Sequence, residues 1–199
     1  MKSIFALSIL LFTPTVFAAT WDIDTTHTNA QFAVKHMMVS TVRGEFQNIT
    51  GTVDLDEKDL TKSKIDVSID ATTINTRVQK RDDHLRSADF FDVANHPKLT
   101  FKSTKIVKGK DGKLLATGDL TIRGVTKPVT LTVTSLSEPM KNPWGMTVRG
   151  VSATGKINRK DFGLTWNKAL EAGGVLVGDD VDLTIDAELV AKAPTPQKS

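Results

Sequence analysis

The sequence predicts an all-β fold, an antiparallel up-and-down barrel of eight long strands with one short helix. Three observations support this prediction. Apolar and polar residues alternate with a period of two in many segments, turn-forming residues separate these segments, and a strong helix-start signal occurs once. A sandwich also fits so much antiparallel strand, but consecutive long strands joined by hairpins favour a closed barrel, which leaves no exposed sheet edge.

The alternation is clearest in three segments, Ile65 to Ala71, Val129 to Val133 and Val181 to Leu189. Each places apolar side chains on one face of a strand and polar side chains on the other. Glycine, proline and lysine cluster between the segments and mark turns. The expected strands lie near 21–36 (in one or two pieces), 41–55, 63–74, 97–107, 113–123, 127–138, 145–158 and 180–191.

The helix is predicted over about 76–87. Thr76 and Gln79 have the spacing of a capping box, in which the two side chains bond reciprocally to free backbone amides. A further single turn is expected from Asn158 to Phe162, closed by Gly163. Leu85, Phe90 and Phe91 would pack the helix onto one end of the barrel.

The composition is that of an ordinary globular protein. The chain has 199 residues and a formal charge of +3, and its 39% hydrophobic residues, 25% charged residues and 7 prolines exclude wholesale disorder, collagen-like repeats and disulfide-rich scaffolds. It has no cysteine, which excludes thiol chemistry, iron–sulfur clusters and cysteine-based zinc sites. Because the positive charge is spread without a basic block, we expect no nucleic-acid partner.

The N-terminal segment has the features of a secretory signal peptide. Lys2 precedes an apolar run from Ile4 to Phe12, and small residues follow, so we expect residues 1–18 to be removed, with cleavage after Ala18 or Ala19. A buried strand or an uncleaved anchor is the alternative. No later stretch has the roughly 20 apolar residues of a spanning helix. We therefore expect a secreted protein that does not span the membrane, periplasmic if its source is bacterial.

The rest of the chain is predicted to be one domain over residues 20–191. The segment 192–199 is rich in proline and polar residues, and we expect it to form a disordered tail.

The apolar strand faces are expected to point inward. A membrane barrel would carry aromatic girdles, but aromatic residues make up 6% of this chain and tyrosine is absent from it. Residues such as Val67 and Val133 then face the lumen. Because small and β-branched residues dominate this face, a cavity that holds one apolar ligand is expected, and a barrel filled by its own side chains remains the alternative.

The predicted helix carries the densest polar cluster of the chain. One interpretation is a solvated face with local ion pairs. The other is a cationic helix beside the barrel mouth, in which Arg81 or Arg86 grips a phosphate or carboxylate of an amphiphile. The cluster consists of Arg77, Lys80, Arg81, Asp82, Asp83, His84 and Arg86.

No motif for metal binding or catalysis stands out. None of the four histidines, His27, His36, His84 and His96, has the spacing of a strong metal motif. His36 with Met37 and Met38 could form a soft copper site, but a strand end followed by two core methionines is the commoner meaning. The nucleophile elbow, the P-loop and the dinucleotide fingerprint are missing, so we expect no catalytic residue, no metal and no cofactor.

Several separated motifs resemble the YceI-like family in order and spacing, over essentially all of Trp21 to Leu189. They are Asp24-Thr-Thr-His27, Phe32-Ala-Val34-Lys-His36, Val42-Arg-Gly44-Glu-Phe46, Arg81-Asp-Asp-His84 through Asp92 with His96-Pro97 and Phe101, Gly118 through Val129, and Asn158 through Leu164.

This resemblance implies a lipocalin-like, extended eight-stranded barrel around a long hydrophobic channel, secreted to the periplasm and often dimeric. It implies a non-enzymatic carrier for a polyisoprenoid or a similar long-chain lipid, such as a quinone-like one. The family motifs would place His27, His36, Arg81, Asp82 and His84 near the channel mouth or in support of its helix. Two alternatives stay open: an enzyme that uses His84 with Asp82 or Asp83 on a lipid head group, and a filled, stress-protective barrel without ligand.

Overall fold

The computed structural model of the protein describes residues 19–171 and 173–192. The predicted signal peptide, residues 1–18, lies outside this part of the chain, as does the predicted tail beyond Lys192. No helix among the described residues is long and apolar enough to cross a bilayer.

The described residues form strands with one α-helix and three short 3₁₀ turns. The strands are β1 (Ala19–Ile23), β2 (Asn29–His36), β3 (Ser40–Phe46), β4 (Ile49–Leu55), β5 (Lys64–Asp70), β6 (Lys98–Lys108), β7 (Leu114–Ile122), β8 (Val125–Leu136), β9 (Met140–Lys141), β10 (Thr147–Asn158) and β11 (Val177–Ala191), the helix is α1 (Gln79–Arg86), and the 3₁₀ turns are Leu60–Lys62, Ala71–Thr73 and Arg159–Phe162.

The strands close into one antiparallel barrel. The sheet order is β3-β2-β11-β1-β4-β5-β6-β7-β8-β10-β9, and β11 also pairs with β10, which joins the two sides of the sheet. β1 and β2 both pair with the same edge of β11, and β3 and β4 continue along them. These four strands therefore fill two positions of an eight-position barrel, and the predicted fold is confirmed.

One predicted strand, 41–55, is wrong as a single element, because it breaks at Gln47 and Asn48. Asn48 has a φ of 53°, in the left-handed region that asparagine tolerates better than most residues. The amide of Gln47 donates to Thr73 Oγ1 at 2.9 Å instead of continuing a strand ladder. The segment 21–36 divides into the two pieces that were expected.

The predicted capping box is also wrong. The amide and the hydroxyl of Thr76 both donate to Asp82 Oδ1, and no side chain caps the first turn of α1 at Val78. Arg77 has a φ of 67°, outside the helical region, so the helix cannot begin at Thr76. It begins at Gln79 and ends at Arg86, shorter than the predicted 76–87.

The main buried core closes one end of the barrel. We call the segments 71–97 and 159–167 the plug, because their side chains pack over the strand ends near Leu99, Ile122 and Val129. Leu85, Phe90 and Phe91 belong to this core, which confirms that the helix packs onto a barrel end.

We call the opposite end of the barrel the far end. Three buried residues of β1, β4 and β11 form a smaller core there, Trp21, Leu55 and Leu189. The turns that join β4 to β5, β6 to β7 and β8 to β10 surround it.

Met37 and Met38 are not core residues, contrary to the expectation. Both are exposed in the turn between β2 and β3, and both have positive φ angles. The amide of Met37 donates to the carbonyl of Leu176 at 2.8 Å, so this turn projects beyond the plug rather than folding into the barrel.

Candidate functional site

The inward strand faces enclose an apolar lumen. Its lining includes side chains from β1 to β8, β10 and β11, and all the lining residues except Thr28, Gln31 and Ser63 are apolar. None of the lining residues in the described chain is charged. The cavity volume is about 200 Å³, larger than the roughly 150 Å³ apolar cavity that stays dry and binds benzene in another protein.

The lumen is long and narrow. On β11 its lining runs from Leu183 to Leu189, which corresponds to about 20 Å of strand at roughly 3.3 Å per residue. On β8 it runs from Val129 to Leu136, a similar length. A small volume spread over this length suits a linear chain better than a compact ligand.

The lumen is hollow rather than filled by its own side chains. Leu131, Val133, Leu183 and Ile185 point inward but are only half-buried, although they lie in the middle of long strands. In a filled barrel such residues would be fully buried, because interiors are close-packed. The two compact cores lie at the ends, and the space between them is left open.

Aromatic rings narrow the lumen toward the plug. The Phe32 and Phe46 ring centroids lie 5.7 Å apart, and Phe101 faces Gly118 on the next strand. A Cβ atom at Gly118 would stand 2.6 Å from Phe101 Cζ, so glycine makes room for the ring. At the far end the lining reaches Leu60, Leu114 and Leu136, which are half-buried.

Of the predicted site residues, Val67 and Val133 line the lumen. Arg81 and Asp82 lie in the plug, where both contact Thr76. Arg81 Nε and Nη2 donate to Thr76 Oγ1 and O, at 2.7 and 2.9 Å. Asp82 is buried and accepts the amide hydrogen of Thr76 at 2.8 Å. These bonds fix the entry of the chain into α1.

His84 also lies in the plug, apart from the lumen lining. Its Nε2 is 2.9 Å from Asp89 Oδ2, and its ring meets Phe90 and Trp166 edge-on at centroid distances of 5.1 and 4.8 Å. The imidazole thus joins the helix to the segment that carries Trp166. Asp82 and His84 have different partners, so the structure does not bring them together as an acid–base pair.

Sequence reasoning missed the role of Arg123 and Arg159 in this plug. Arg123 donates to the carbonyls of Gly163 and Ala88, at 2.9 and 2.7 Å. The buried Arg159 donates to four backbone carbonyls and to Asp179. The sequence signal for both arginines is that they lie inside the motifs that resemble the YceI-like family.

His27 lies on the outside of the barrel, in the turn between β1 and β2. Its Nδ1 is 2.8 Å from Asp24 Oδ2, and Thr26 donates to Asp24 Oδ1. The hydrogen bonds from Thr26 and then from His27 lower the pKa of Asp24 to about 2. The bond to Asp24, followed by its charge, raises the pKa of His27 above 6.5.

Glu188 completes a group of three side chains with Asp24 and His27. One ligand atom of each lies within 4.8 Å of the others, a spacing that could hold a metal ion. Asp24 and His27 already bond to each other and to Thr26, and these bonds order the turn. His36 lies elsewhere, at the end of β2, in register with Ser40 and Val177 and outside the lumen lining.

Comparison with known proteins agrees with this geometry. The UPF0312 protein SA2479 of Staphylococcus aureus (strain N315) is 39% identical over 166 residues, 83% of this chain and 94% of that protein. The crystal structure of the Campylobacter jejuni YCEI protein is 34% identical, with a TM-score of 0.66 over 80% of this chain and 90% of that one.

Two more distant structures share the fold. Burkholderia cenocepacia BcnA is 22% identical with a TM-score of 0.72, over 86% of this chain and all of that one. A polyisoprenoid binding domain from Saccharophagus degradans is 15% identical with a TM-score of 0.59, over 88% of this chain and 99% of that one. The YceI-like domain model matches residues 21–189, almost the whole described barrel. The chain therefore belongs to the YceI-like family.

Proposed function

We propose that this protein is a secreted, non-enzymatic carrier that holds one long-chain isoprenoid-type lipid in its lumen. The observation that carries the proposal is the hollow, uncharged lumen, whose lining follows about 20 Å of strand and is apolar at nearly every position. The S. degradans polyisoprenoid binding domain shares the fold and supports the same ligand class. Membership of the YceI-like family supports a binding role in the same way.

The energetics suit a long apolar chain. Burial of each CH₂ group stabilises a complex by about 0.8 kcal/mol. A chain of some 15 carbons therefore gains roughly 12 kcal/mol, before the loss of translational and conformational freedom is subtracted. No charged partner and no chemical step are needed for such binding.

Within this proposal the predicted site residues divide into two groups. Val67 and Val133 would contact the lipid chain directly, since both line the lumen. Arg81, Asp82 and His84 would act through the plug, because their polar atoms already bond to Thr76 and Asp89. His27 and His36 would order turns outside the lumen. The proposal also includes export through the predicted signal peptide, to the periplasm in a bacterium.

The test is lipid loading of lumen-blocking variants. Purified protein is incubated with a polyprenol or a long-chain quinone, and native mass spectrometry measures the bound mass. We expect one lipid per chain in the wild type and loss of that mass in Val67→Trp and Val133→Trp, since an indole would fill the narrow lumen. Thr184→Trp is the matched control, because Thr184 is exposed between the lumen-lining residues Leu183 and Ile185 of β11.

Equal loading of all four proteins would overturn the lumen as the binding site. A bare wild-type mass with every lipid would favour a protein that needs no ligand. Conversion of the bound lipid, lost in His84→Ala while binding persists, would establish the enzyme alternative instead.

A further inference from the structure

The connection between β8 and β10 presents an apolar surface to solvent. We call residues 137–147 the far-end hairpin. Trp144 is 78% exposed, Met140 64% and Met146 45%, so three large apolar side chains stand in water within seven residues. Isolated exposed apolar residues are common, but a cluster with tryptophan at its tip marks an interaction surface.

The far-end hairpin is an ordered structure. Met140 and Lys141 pair with Val148 and Thr147, and Asn142 Oδ1 accepts the amide hydrogens of Trp144 and Met146 at 3.1 and 3.0 Å. These bonds hold the turn in a shape that presents the apolar side chains outward.

The hairpin rises directly from the rim of the lumen. Leu136 and Val151 are register partners at its base, and both line the cavity. The plug closes the other end with its larger buried core. The lining residues at the base of the hairpin, Leu136 and Val151, are half-buried, whereas other lining residues are buried, Leu55 and Leu189 in the far-end core and Leu99, Ile122 and Val129 at the plug.

The charges near the hairpin favour an anionic partner. The neighbouring turn between β6 and β7 carries Lys108, Lys110 and Lys113 against one acid, Asp111. Lys141 lies in the hairpin itself, where its Nζ donates to the carbonyl of Gly145 and Glu138 balances its charge, so the positive excess comes from the neighbouring turn. The turn between β4 and β5, residues 56–64, has three acidic and three basic side chains, so it does not cancel this excess.

We propose that the far-end hairpin docks on an anionic phospholipid bilayer and places the far end of the lumen against the membrane. Tryptophan favours the boundary between headgroups and acyl chains, and nearby lysines add attraction to anionic lipids. Three side chains are too few for a stable protein interface, which needs about 1,000 Å². The inference rests on the proposed function, because it names the source from which the lumen takes its lipid.

The opposite end of the barrel provides a matched control. Met37, Met38 and Val39 are also exposed and apolar, but they lie in the turn beyond the plug and include no tryptophan. If apolar exposure alone drives adsorption to vesicles, both ends will contribute. If the far-end hairpin is the docking element, removal of the Met37 to Val39 surface will leave binding unchanged.

The experiment is flotation of the mature protein with vesicles of phosphatidylethanolamine and phosphatidylglycerol. We expect Met140→Ser/Trp144→Ser/Met146→Ser to lower the partition coefficient at least tenfold, about 1.4 kcal/mol. Met37→Ser/Met38→Ser/Val39→Ser should change it less than about twofold, a difference well below that value. Addition of salt should weaken wild-type binding, because it screens the lysines. Thermal unfolding checks that both variants are folded.

Three results would overturn the docking proposal. The first is that the wild type fails to float with the vesicles, and the second is that both triple variants lose vesicle binding equally. The third is that the wild type forms a dimer in the absence of vesicles and the far-end triple variant is monomeric. The last result would assign the hairpin to a second copy of the chain. Lipid loading from detergent micelles, followed by native mass spectrometry, tests the lumen separately. A wild type that docks but never loads would refute the carrier function alone, and one that loads but never docks would refute the docking alone.

Discussion

Arginine side chains in the plug bond mainly to backbone carbonyls rather than to carboxylates. Arg86 donates to the carbonyls of Thr72 and Ile74, and Arg159 reaches those of Gly178, Leu164, Trp166 and Val177. Guanidinium offers five donors in a fixed plane, which suits irregular backbone that has no ladder partner. Burial lowers the pKa of Arg159, and the nearby Asp179 opposes this shift.

The sequence identified the helix as the densest cluster of charged residues, but it did not predict the hydrogen-bond partners of these residues. Local spacing predicts ion pairs three or four residues apart, and the Asp83 pair with Arg86 is one of these. The decisive partners of Arg86, Arg123 and Arg159 are carbonyls up to 40 residues away. Such contacts depend on the path of the backbone through the plug. Neither the alternation of apolar and polar residues nor the composition predicts that path.

The turn between β1 and β2 should show a histidine with a raised pKa. Asp24 bonds to His27, so the midpoint of the His27 titration should lie above 6.5 and return toward that value in Asp24→Asn. Because the folded-state pKa is raised, the pair stabilises the fold below about pH 6.5 and loses this contribution as pH rises through the folded-state pKa. Histidine ring NMR measures the midpoint. An unchanged midpoint in Asp24→Asn would refute the pairing.

At the scale of elements, the alternation of apolar and polar residues predicted the strands well. Every predicted segment contains a strand, because one face of each is apolar and the period is two. The errors in the predicted element boundaries lie where a single backbone angle or a distant hydrogen-bond partner determines where an element ends. Asn48 and Arg77 adopt positive φ, and β9 is too short to carry a pattern.

The position of the lumen could also be predicted in outline. Val67 and Val133 were expected to point inward from the alternation alone, and both line the cavity. Whether the barrel would be hollow could not be decided from the pattern, because this depends on the stagger of the strands, which sets the width of the barrel, and on how the side chains fill it. The far-end hairpin is a further example, since its apolar residues carry no periodic signal.

Gly118 of β7 allows close pairing between β6 and β7. A Cβ atom at Gly118 would lie 2.5 Å from the carbonyl oxygen of Lys102, which is backbone and cannot move aside cheaply. Gly118→Ala should therefore lower the free energy of unfolding by about 1–3 kcal/mol. Gly150→Ala is the control, because the nearest atom to its Cβ would be Ser137 Oγ at 3.8 Å, and a change within about 0.5 kcal/mol is expected there. Urea denaturation measures both, and equal effects would contradict the steric argument.

At the scale of the whole molecule, stability is concentrated at the two ends of the barrel. The plug core and the smaller Trp21 core are compact, and the middle of the lumen has no packed filling. An empty apolar cavity forgoes the dispersion contacts that a filled core would make. A bound chain would restore these contacts along the entire length of the strands.

Lipid binding should therefore raise the thermal stability of the protein. With free polyprenol at 100 times its dissociation constant, the stabilisation is about 2.7 kcal/mol. For a chain of this size that corresponds to a rise in Tm of roughly 5–11 °C. Differential scanning calorimetry with and without the lipid measures it, and Val133→Trp should show no rise. A rise of the same size in Val133→Trp would mean that the lipid binds outside the lumen.

The pairing of β11 on both edges has a consequence for when the chain can fold. β11 is the last described strand, and it joins β10 on one side and both β1 and β2 on the other, with Trp21 in register with Ala191. Closure must wait until this strand has been synthesised, because nothing earlier in the sequence can occupy its place. A nascent chain lacking β11 keeps two open sheet edges, and its first strands remain without their final partner until the ribosome has reached the end of the barrel.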